Sequence, residues 1–218
     1  MKTVYCLCGL GSDERIFSKL NWDGVDVHYL PWIMPSAGES LSAYAVRMSE
    51  SIEDENATLI GVSFGGMMSI EIAKVRKIYK VVLISSVSNR LQLPGWMRLF
   101  GKMNADSLLP RKSLFSFRPT KIFEPLENYF LGASTEEEKK LVHEYRANVD
   151  PVYLKWSIHQ VLRWNNEWQP PALYHIHGDK DRIFPYSLVT PTHTIPSAGH
   201  FLVYQEAERV SAILREIL

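Results

Sequence analysis

The amino-acid sequence predicts an α/β fold, in which a mostly parallel sheet of about six strands is flanked by helices. Short apolar runs alternate with amphipathic segments over residues 1–87, which is typical of parallel strands joined by helices. The same alternation returns over residues 169–218. Residues 88–168 carry helical patterns without a clear strand. We therefore expect a core formed by 1–87 and 169–218, with a helical insertion over 88–168.

The first half of the predicted core contains strands and helices in alternation. Apolar runs predict strands over residues 3–8, 25–30, 57–60 and 79–84, and periodic apolar residues predict helices over 40–52 and 64–76. In the first helix Leu41, Tyr44 and Met48 fall on one face. A glycine-rich loop follows the first strand, and Pro31 and Pro35 mark the loop after the second.

The insertion and the last part of the core follow. Acidic residues after Ser134 favour a helix start there, since they complement the helix dipole. Asp150 and Pro151 predict another start, with aspartate as the N-cap and proline in the first helical position. Apolar runs at residues 172–177 and 192–195 predict the final strands, and an amphipathic helix follows them.

A tight turn between the third strand and the following helix carries the first candidate catalytic residue. The segment Gly61-Val62-Ser63-Phe64-Gly65 has the Gly-x-Ser-x-Gly pattern of a nucleophile elbow. Such a turn needs residues without bulk two positions before and after the serine, and glycine also tolerates strained backbone angles. By itself the pattern is equally compatible with an ordinary Gly/Ser turn, so the serine needs partners elsewhere in the chain.

A serine nucleophile needs a base within hydrogen-bond reach and an acid that orients the base. His200 lies in a glycine-containing loop before the last helix, a position from which it can reach across the sheet edge. Asp179 and Asp181 both follow the strand at 172–177, on the edge expected to hold Ser63. We prefer Asp181, and the residues alone leave Asp179 open.

These segments together resemble the α/β-hydrolase superfamily over nearly the whole chain. The matching stretches are Gly61 to Gly65, His177-Gly178-x-x-Asp181 with Pro185, and Gly199-His200-Phe201. The likeness is greatest with small, lidded, esterase-like members. It implies a Ser63–His200–Asp181 triad, favours Asp181 over Asp179, and makes the insertion at 88–168 a lid.

Acyl transfer also needs donors for the oxyanion, and main-chain N–H groups usually supply them. One donor is expected from Phe64, directly after the nucleophile. The resemblance assigns the second to Leu10, in the loop after the first strand. This chain has Cys8-Gly9 where many relatives have His-Gly. Because the donors belong to the main chain, we expect the hole to form despite that difference.

The resulting hypothesis is a serine hydrolase that cleaves a carboxylic ester or thioester of a small, apolar acyl substrate. The insertion is rich in aromatic residues, and ligand sites are mostly apolar, so Trp96, Trp156 and Phe201 are candidate substrate-binding residues. No metal or organic cofactor is needed. C–C bond hydrolysis or lyase chemistry at the same site is one alternative, and a non-catalytic small-molecule receptor is another.

Composition excludes several other classes of protein. The 24 basic and 24 acidic residues balance, which argues against a nucleic-acid partner. Cys6 and Cys8 are two positions apart on one strand, so they point to the same face and are expected to stay reduced. A membrane-spanning apolar run and a charged-then-apolar signal segment are lacking. These features predict a cytoplasmic protein, as a monomer or homodimer.

Overall fold

The computed structural model describes residues 2–54, 56–103 and 120–218, and within them a parallel sheet of six strands. In chain order the strands are Lys2–Leu7 (β1), Val25–Tyr29 (β2), Thr58–Val62 (β3), Lys80–Ile84 (β4), Leu173–Gly178 (β5) and His193–Ile195 (β6). Their order in the sheet is β2-β1-β3-β4-β5-β6. The predicted fold class and strand number are confirmed. The order reverses between β1 and β3, and ligands bind at such a point, outside the carboxyl ends of the strands.

Helices cover both faces of the sheet. They span Leu41–Ser49 (α1), Phe64–Val75 (α2), Gly95–Lys102 (α3), Thr120–Leu131 (α4), Glu136–Asn148 (α5), Pro151–Arg163 (α6), Leu202–Gln205 (α7) and Ala207–Ile217 (α8). Short 3-10 turns add Glu14–Phe17, Arg90–Gln92 and Tyr186–Leu188. Each predicted strand and helix of the core is present, with ends shifted by a few residues.

Alternate side chains of β1, β3 and β4 enter two separate hydrophobic clusters. Val4 and Cys6 of β1 pack with residues of α5, α7 and α8 on one face. Tyr5 and Leu7 of the same strand pack with α1, α2, α3 and α6 on the other. Successive residues of a strand point to opposite faces. Apolar residues at successive positions of the central strands therefore build both layers of the core.

The helix starts predicted within the insertion are present. Thr135 is the N-cap of α5 and forms a capping box with Glu138. The Asp150 carboxylate caps α6 by accepting from the N–H groups of Val152 and Tyr153, and Pro151 occupies the first turn. The predicted insertion, 88–168, contains α3 to α6, and residues 104–119 lie outside the described chain. Its boundaries and its role as a lid stay predictions.

None of the helices in the described parts of the chain is both long and apolar enough to cross a membrane.

Candidate active site

Ser63 lies at a sharp turn between the end of β3 and the first residue of α2. Its φ is 53° and its ψ is −118°, a conformation that is costly for a residue with a side chain. Two hydrogen bonds hold this backbone. The Ser63 N–H donates to the Ile84 carbonyl at 3.0 Å, and the Ser86 hydroxyl donates to the Ser63 carbonyl at 2.6 Å. The surrounding strands thus hold the serine in a strained position at the sheet edge.

The glycines on either side of Ser63 are required by close backbone contacts. A Cβ on Gly61 would overlap the backbone of Gly65, and a Cβ on Gly65 would overlap the carbonyls of Leu7 and Cys8. These neighbours are main-chain atoms, so they cannot move aside as a flexible side chain can. The need for glycine that the sequence pattern indicates thus has a steric cause.

The structure brings Ser63, His200 and Asp181 into one line of hydrogen bonds. The Nε2 atom of His200 lies 3.0 Å from the Ser63 hydroxyl oxygen. On the other side of the ring, Nδ1 lies 2.8 Å from Oδ2 of Asp181. A carboxylate only accepts hydrogen bonds, so Nδ1 carries the proton and Nε2 is free to accept from the serine. This is the tautomer that a base for Ser63 requires.

Asp181 is buried, and its ionised form is supported by several donors. Oδ1 accepts from the N–H groups of Ile183 at 2.8 Å and Phe184 at 2.9 Å. Burial alone would raise the pKa of Asp181, but the charge and hydrogen bond of His200, with the nearby His177, outweigh it and hold that pKa below its ordinary value. Asp181 is therefore an anion throughout the neutral range.

The alternative carboxylate, Asp179, points elsewhere. Its Oδ1 accepts from the Ser197 N–H at 2.7 Å, which ties the two loops at the ends of β5 and β6 together. It also lies 3.8 Å from the amine of Lys180. The structure thus places Asp181, and not Asp179, against His200.

His177 is a neighbour of the site whose contact with Asp181 the sequence analysis missed. Its Nε2 lies 2.8 Å from the Phe184 carbonyl and 3.4 Å from Oδ2 of Asp181, so this nitrogen carries the proton. Its Nδ1 lies 3.1 Å from Nε2 of His175. Burial lowers the pKa of His177 and takes that of His175 to about 3. The spacing of four residues between His177 and Asp181, across a glycine turn, was the available signal.

The two residues expected to supply oxyanion donors lie on segments next to Ser63. Phe64 is the first residue of α2, where an N–H group has no partner within the helix. Leu10 follows Gly9, and a Cβ on Gly9 would lie 3.5 Å from the Ser63 Cβ. Within residues 2–54, 56–103 and 120–218, no hydrogen bond from the N–H of Leu10 or Phe64 is present.

Comparison with known proteins identifies the family of this chain. A sequence model described as the alpha/beta hydrolase family matches residues 9–213. The chain belongs to the alpha/beta hydrolase family. No curated protein matches the sequence.

Solved structures of several other proteins share the fold. MenH from S. aureus has a TM-score of 0.75 at 15% identity, over 100% of this chain and 93% of that one. A meta-cleavage product hydrolase from Pseudomonas fluorescens has a TM-score of 0.67 at 16% identity, over 100% of this chain and 90% of that one. A thermophilic esterase from Thermogutta terrifontis has a TM-score of 0.67 at 14% identity, over 99% of this chain and 89% of that one. At these identities the likeness shows a common fold.

The predicted substrate-binding residues of this alpha/beta hydrolase occupy three different environments. Trp156 packs edge-on against Phe64, with ring centroids 6.3 Å apart, next to the elbow. Trp96 lies on α3, is 54% exposed, and contacts the ring of Phe100. Phe201 is buried in the core beside Tyr204. Of the three, Trp156 is the one in ring contact with a residue of the elbow.

Trp32 is a further aromatic residue at the site of this hydrolase that the sequence analysis did not select. It lies in the loop after β2 and stacks on Phe64, with centroids 5.1 Å apart and planes 22° from parallel. Tyr153 of α6 packs on it at 5.5 Å. Its place after the carboxyl end of a strand was the available signal.

Within the described chain, no cluster of three or more His, Cys, Asp or Glu side chains could hold a metal ion. The line of Ser63, His200 and Asp181 can support nucleophilic attack by a hydroxyl, with one imidazole as base and one carboxylate behind it.

Proposed function

We propose that this chain is a serine hydrolase that cleaves a carboxylic ester or thioester of a small, apolar acyl substrate. One observation carries the proposal: the Ser63 hydroxyl, the His200 ring and the Asp181 carboxylate form a continuous line, with heavy-atom distances of 3.0 Å and 2.8 Å. The line ends at a nucleophile in a strained elbow. This is the arrangement that activates a hydroxyl for acyl transfer.

In the proposed reaction, the Ser63 oxygen attacks the carbonyl carbon while His200 Nε2 takes the hydroxyl proton. His200 then returns that proton to the leaving alcohol or thiol, and an acyl-enzyme remains. Water attacks the acyl-enzyme with His200 again as the base, which releases the carboxylic acid and restores Ser63. Asp181 holds the imidazole in position and stabilises its cation throughout.

The negative charge that develops on the carbonyl oxygen is assigned to the N–H groups of Phe64 and Leu10. Phe64 begins α2, so the positive end of that helix dipole also faces the oxyanion. Such preorganised donors need no reorganisation at the moment of reaction. The aromatic side chains of Trp32 and Trp156, which contact Phe64, supply an apolar wall suited to an acyl group.

The test treats the purified protein with a fluorophosphonate probe and measures turnover of p-nitrophenyl esters of increasing acyl length. We expect labelling at Ser63 and a rate that peaks at short acyl chains. Ser63→Ala should lose labelling and lower kcat on the order of 10⁶-fold, with an unchanged melting temperature.

Ser197→Ala is the matched control, because Ser197 binds Asp179 through its backbone N–H and not through its side chain. This variant should keep the labelling and the kcat of the wild-type protein. Labelling that persists in Ser63→Ala, or a wild-type protein that is neither labelled nor active on any ester or thioester, would contradict the proposal. Labelling without ester or thioester turnover would favour C–C chemistry at the same serine.

A further inference from the structure

The carbonyl of Gly9, in the loop after β1, accepts three hydrogen bonds. The Ser12 N–H donates to it at 3.2 Å and the Ser12 hydroxyl at 3.0 Å. The indole N–H of Trp32 donates to it at 3.3 Å. A carbonyl oxygen has two lone pairs, so this acceptor is crowded with donors. Two of the three come from side chains, those of Ser12 and Trp32.

This carbonyl belongs to the same peptide unit as the Leu10 N–H. A trans peptide is planar, and its C=O and N–H point in opposite directions. Donors that fix the direction of the Gly9 carbonyl therefore also fix the direction of the Leu10 N–H. Hydrogen bonds to a carbonyl polarise the amide, which strengthens the N–H as a donor. The Leu10 N–H is the group assigned above to the oxyanion.

Trp32 also contacts the other side of the proposed oxyanion hole. Its ring stacks on Phe64, whose N–H is the second donor. Tyr153 and Tyr44 pack against the indole at centroid distances of 5.5 Å and 6.4 Å and restrict its movement. Tyr44 further anchors this loop, since its hydroxyl donates to the Ile33 carbonyl at 2.6 Å. One rigid side chain thus joins the residues that carry the two donors.

We propose that Trp32 is a positioning residue for the oxyanion hole, and that Ser12 supports it at the same carbonyl. This inference rests on the proposed function. Trp32 acts on the Leu10 N–H through the Gly9–Leu10 peptide and on Phe64 through ring stacking. Its effect should appear in the transition state, where the charge on the oxygen is largest, and not in substrate binding.

The test compares Trp32→Phe, which keeps a ring on Phe64 but removes the indole N–H, with Trp164→Phe. Trp164 is buried, and its indole N–H donates at 2.7 Å to Glu71, so the control loses the same kind of bond elsewhere. Loss of a direct oxyanion donor costs about 10²–10³-fold in kcat. Since Trp32 acts indirectly, we expect Trp32→Phe to lower kcat about 10-fold with KM unchanged.

A transition-state mimic separates positioning from packing. An alkylboronic acid forms a tetrahedral anion on a reactive serine, so its inhibition constant should rise in Trp32→Phe by the same factor as kcat falls. Ser12→Ala should shift both quantities in the same direction, and it tests the same carbonyl if Trp32→Phe fails to fold. Trp164→Phe should leave kcat and boronate inhibition unchanged, whatever its melting temperature.

Three outcomes would overturn the inference: an unchanged kcat in both Trp32→Phe and Ser12→Ala, a raised KM with unchanged kcat, or an equal loss in Trp164→Phe. Failure of the proposed function is recognised separately, because the wild-type protein would then show no fluorophosphonate labelling that depends on Ser63.

Discussion

Asp179 and Asp181 are two residues apart in one turn, yet they have opposite environments. Asp181 is 5% exposed and accepts from two backbone N–H groups and from His200. Asp179 accepts from a single backbone N–H, that of Ser197. Only the buried carboxylate faces the imidazole. Which of the two carboxylates faces His200 is therefore decided by the path of one loop and not by residue type.

Replacing each aspartate with asparagine should separate their roles. Asp181→Asn keeps the size of the side chain but presents an N–H₂ group or a weaker acceptor to His200, which disfavours the tautomer that accepts from Ser63. A loss of kcat of about 10⁴-fold is expected from the same change in serine proteases. Asp179→Asn retains an oxygen for the Ser197 N–H, so its kcat should stay within about twofold of the wild-type value. Steady-state ester hydrolysis measures both, and an equal loss would refute the assignment.

The segment between β4 and β5 contacts three loops of the candidate site. Val149, after α5, lies against Gly11 of the oxyanion loop. The Tyr129 carbonyl of α4 accepts from Arg182 in the loop of Asp181 at 2.6 Å. The Leu131 carbonyl accepts from the N–H of Phe201, directly after His200, at 3.1 Å. The position of these helices and the geometry of the site are therefore coupled.

Glu138 of α5 provides a further connection between this segment and the site. Its Oε2 accepts from the Ser134 N–H at 2.7 Å, the Thr135 N–H at 3.1 Å and the Gln205 amide of α7 at 2.9 Å. Burial would raise the pKa of Glu138, but these hydrogen bonds outweigh it and lower that pKa. The carboxylate therefore joins the start of α5 to the helix that follows the loop of His200.

Truncating Glu138 should be much more costly than truncating its neighbour on the same helix. Glu138→Ala removes the acceptor of four donors, the Ser134 N–H and hydroxyl, the Thr135 N–H and the Gln205 amide. This loss is expected to lower the free energy of unfolding by about 1–3 kcal/mol. Glu136→Ala removes a side chain that is 92% exposed. It should change the free energy of unfolding by less than about 0.5 kcal/mol. Urea unfolding of both variants gives the comparison. Equal midpoints would show that the buried carboxylate does not hold α5 in place.

Two buried histidines link the whole molecule's stability to pH. His175 and His177 lie in β5, fully within the core, and their environment includes each other, Asp181 and the backbone of Ser86 and Phe184. Burial is the main reason that the pKa of both rings is lowered, to about 3 for His175. The folded protein keeps them neutral under conditions in which the unfolded chain would bind protons.

The sign of the pH dependence follows from that difference. Below about pH 6.5 the unfolded chain takes up a proton at His175 and the folded protein does not, so stability is lost as the pH falls. Between pH 6.5 and 5 this amounts to about 2 kcal/mol for His175, and His177 acts in the same direction. The stability that comes from carboxylates with a lowered pKa, such as Asp181, is lost only below about pH 4.

Urea unfolding between pH 7 and 5 tests this expectation. The wild-type free energy of unfolding should fall over that range, and His175→Asn should be less stable at pH 7 but show a smaller fall. His28→Asn, at a ring that is 48% exposed, is the control and should keep the wild-type slope. A wild-type stability that is flat from pH 7 to 5 would contradict neutral burial of the pair.

The sequence by itself determined the strands, the helices and two of the three reacting residues proposed here, Ser63 and His200. Each strand is a local apolar run, each helix a local periodicity, and the elbow a five-residue steric pattern around Ser63. Because parallel strands place their carboxyl ends at one edge, the chain order predicted that Ser63, His200 and one carboxylate of the turn at 179–181 meet. Those signals are all short-range or follow from topology.

Only the tertiary structure decided which groups support that site. The approach of Trp32 to the Gly9 carbonyl, of His177 to Asp181 and of Glu138 to Gln205 joins residues whose partners no local pattern specifies. The choice of Asp181 over Asp179 likewise needed the direction of a loop. Such contacts depend on how separate elements pack, and packing is set by the complementarity of whole surfaces, which no single segment of sequence contains.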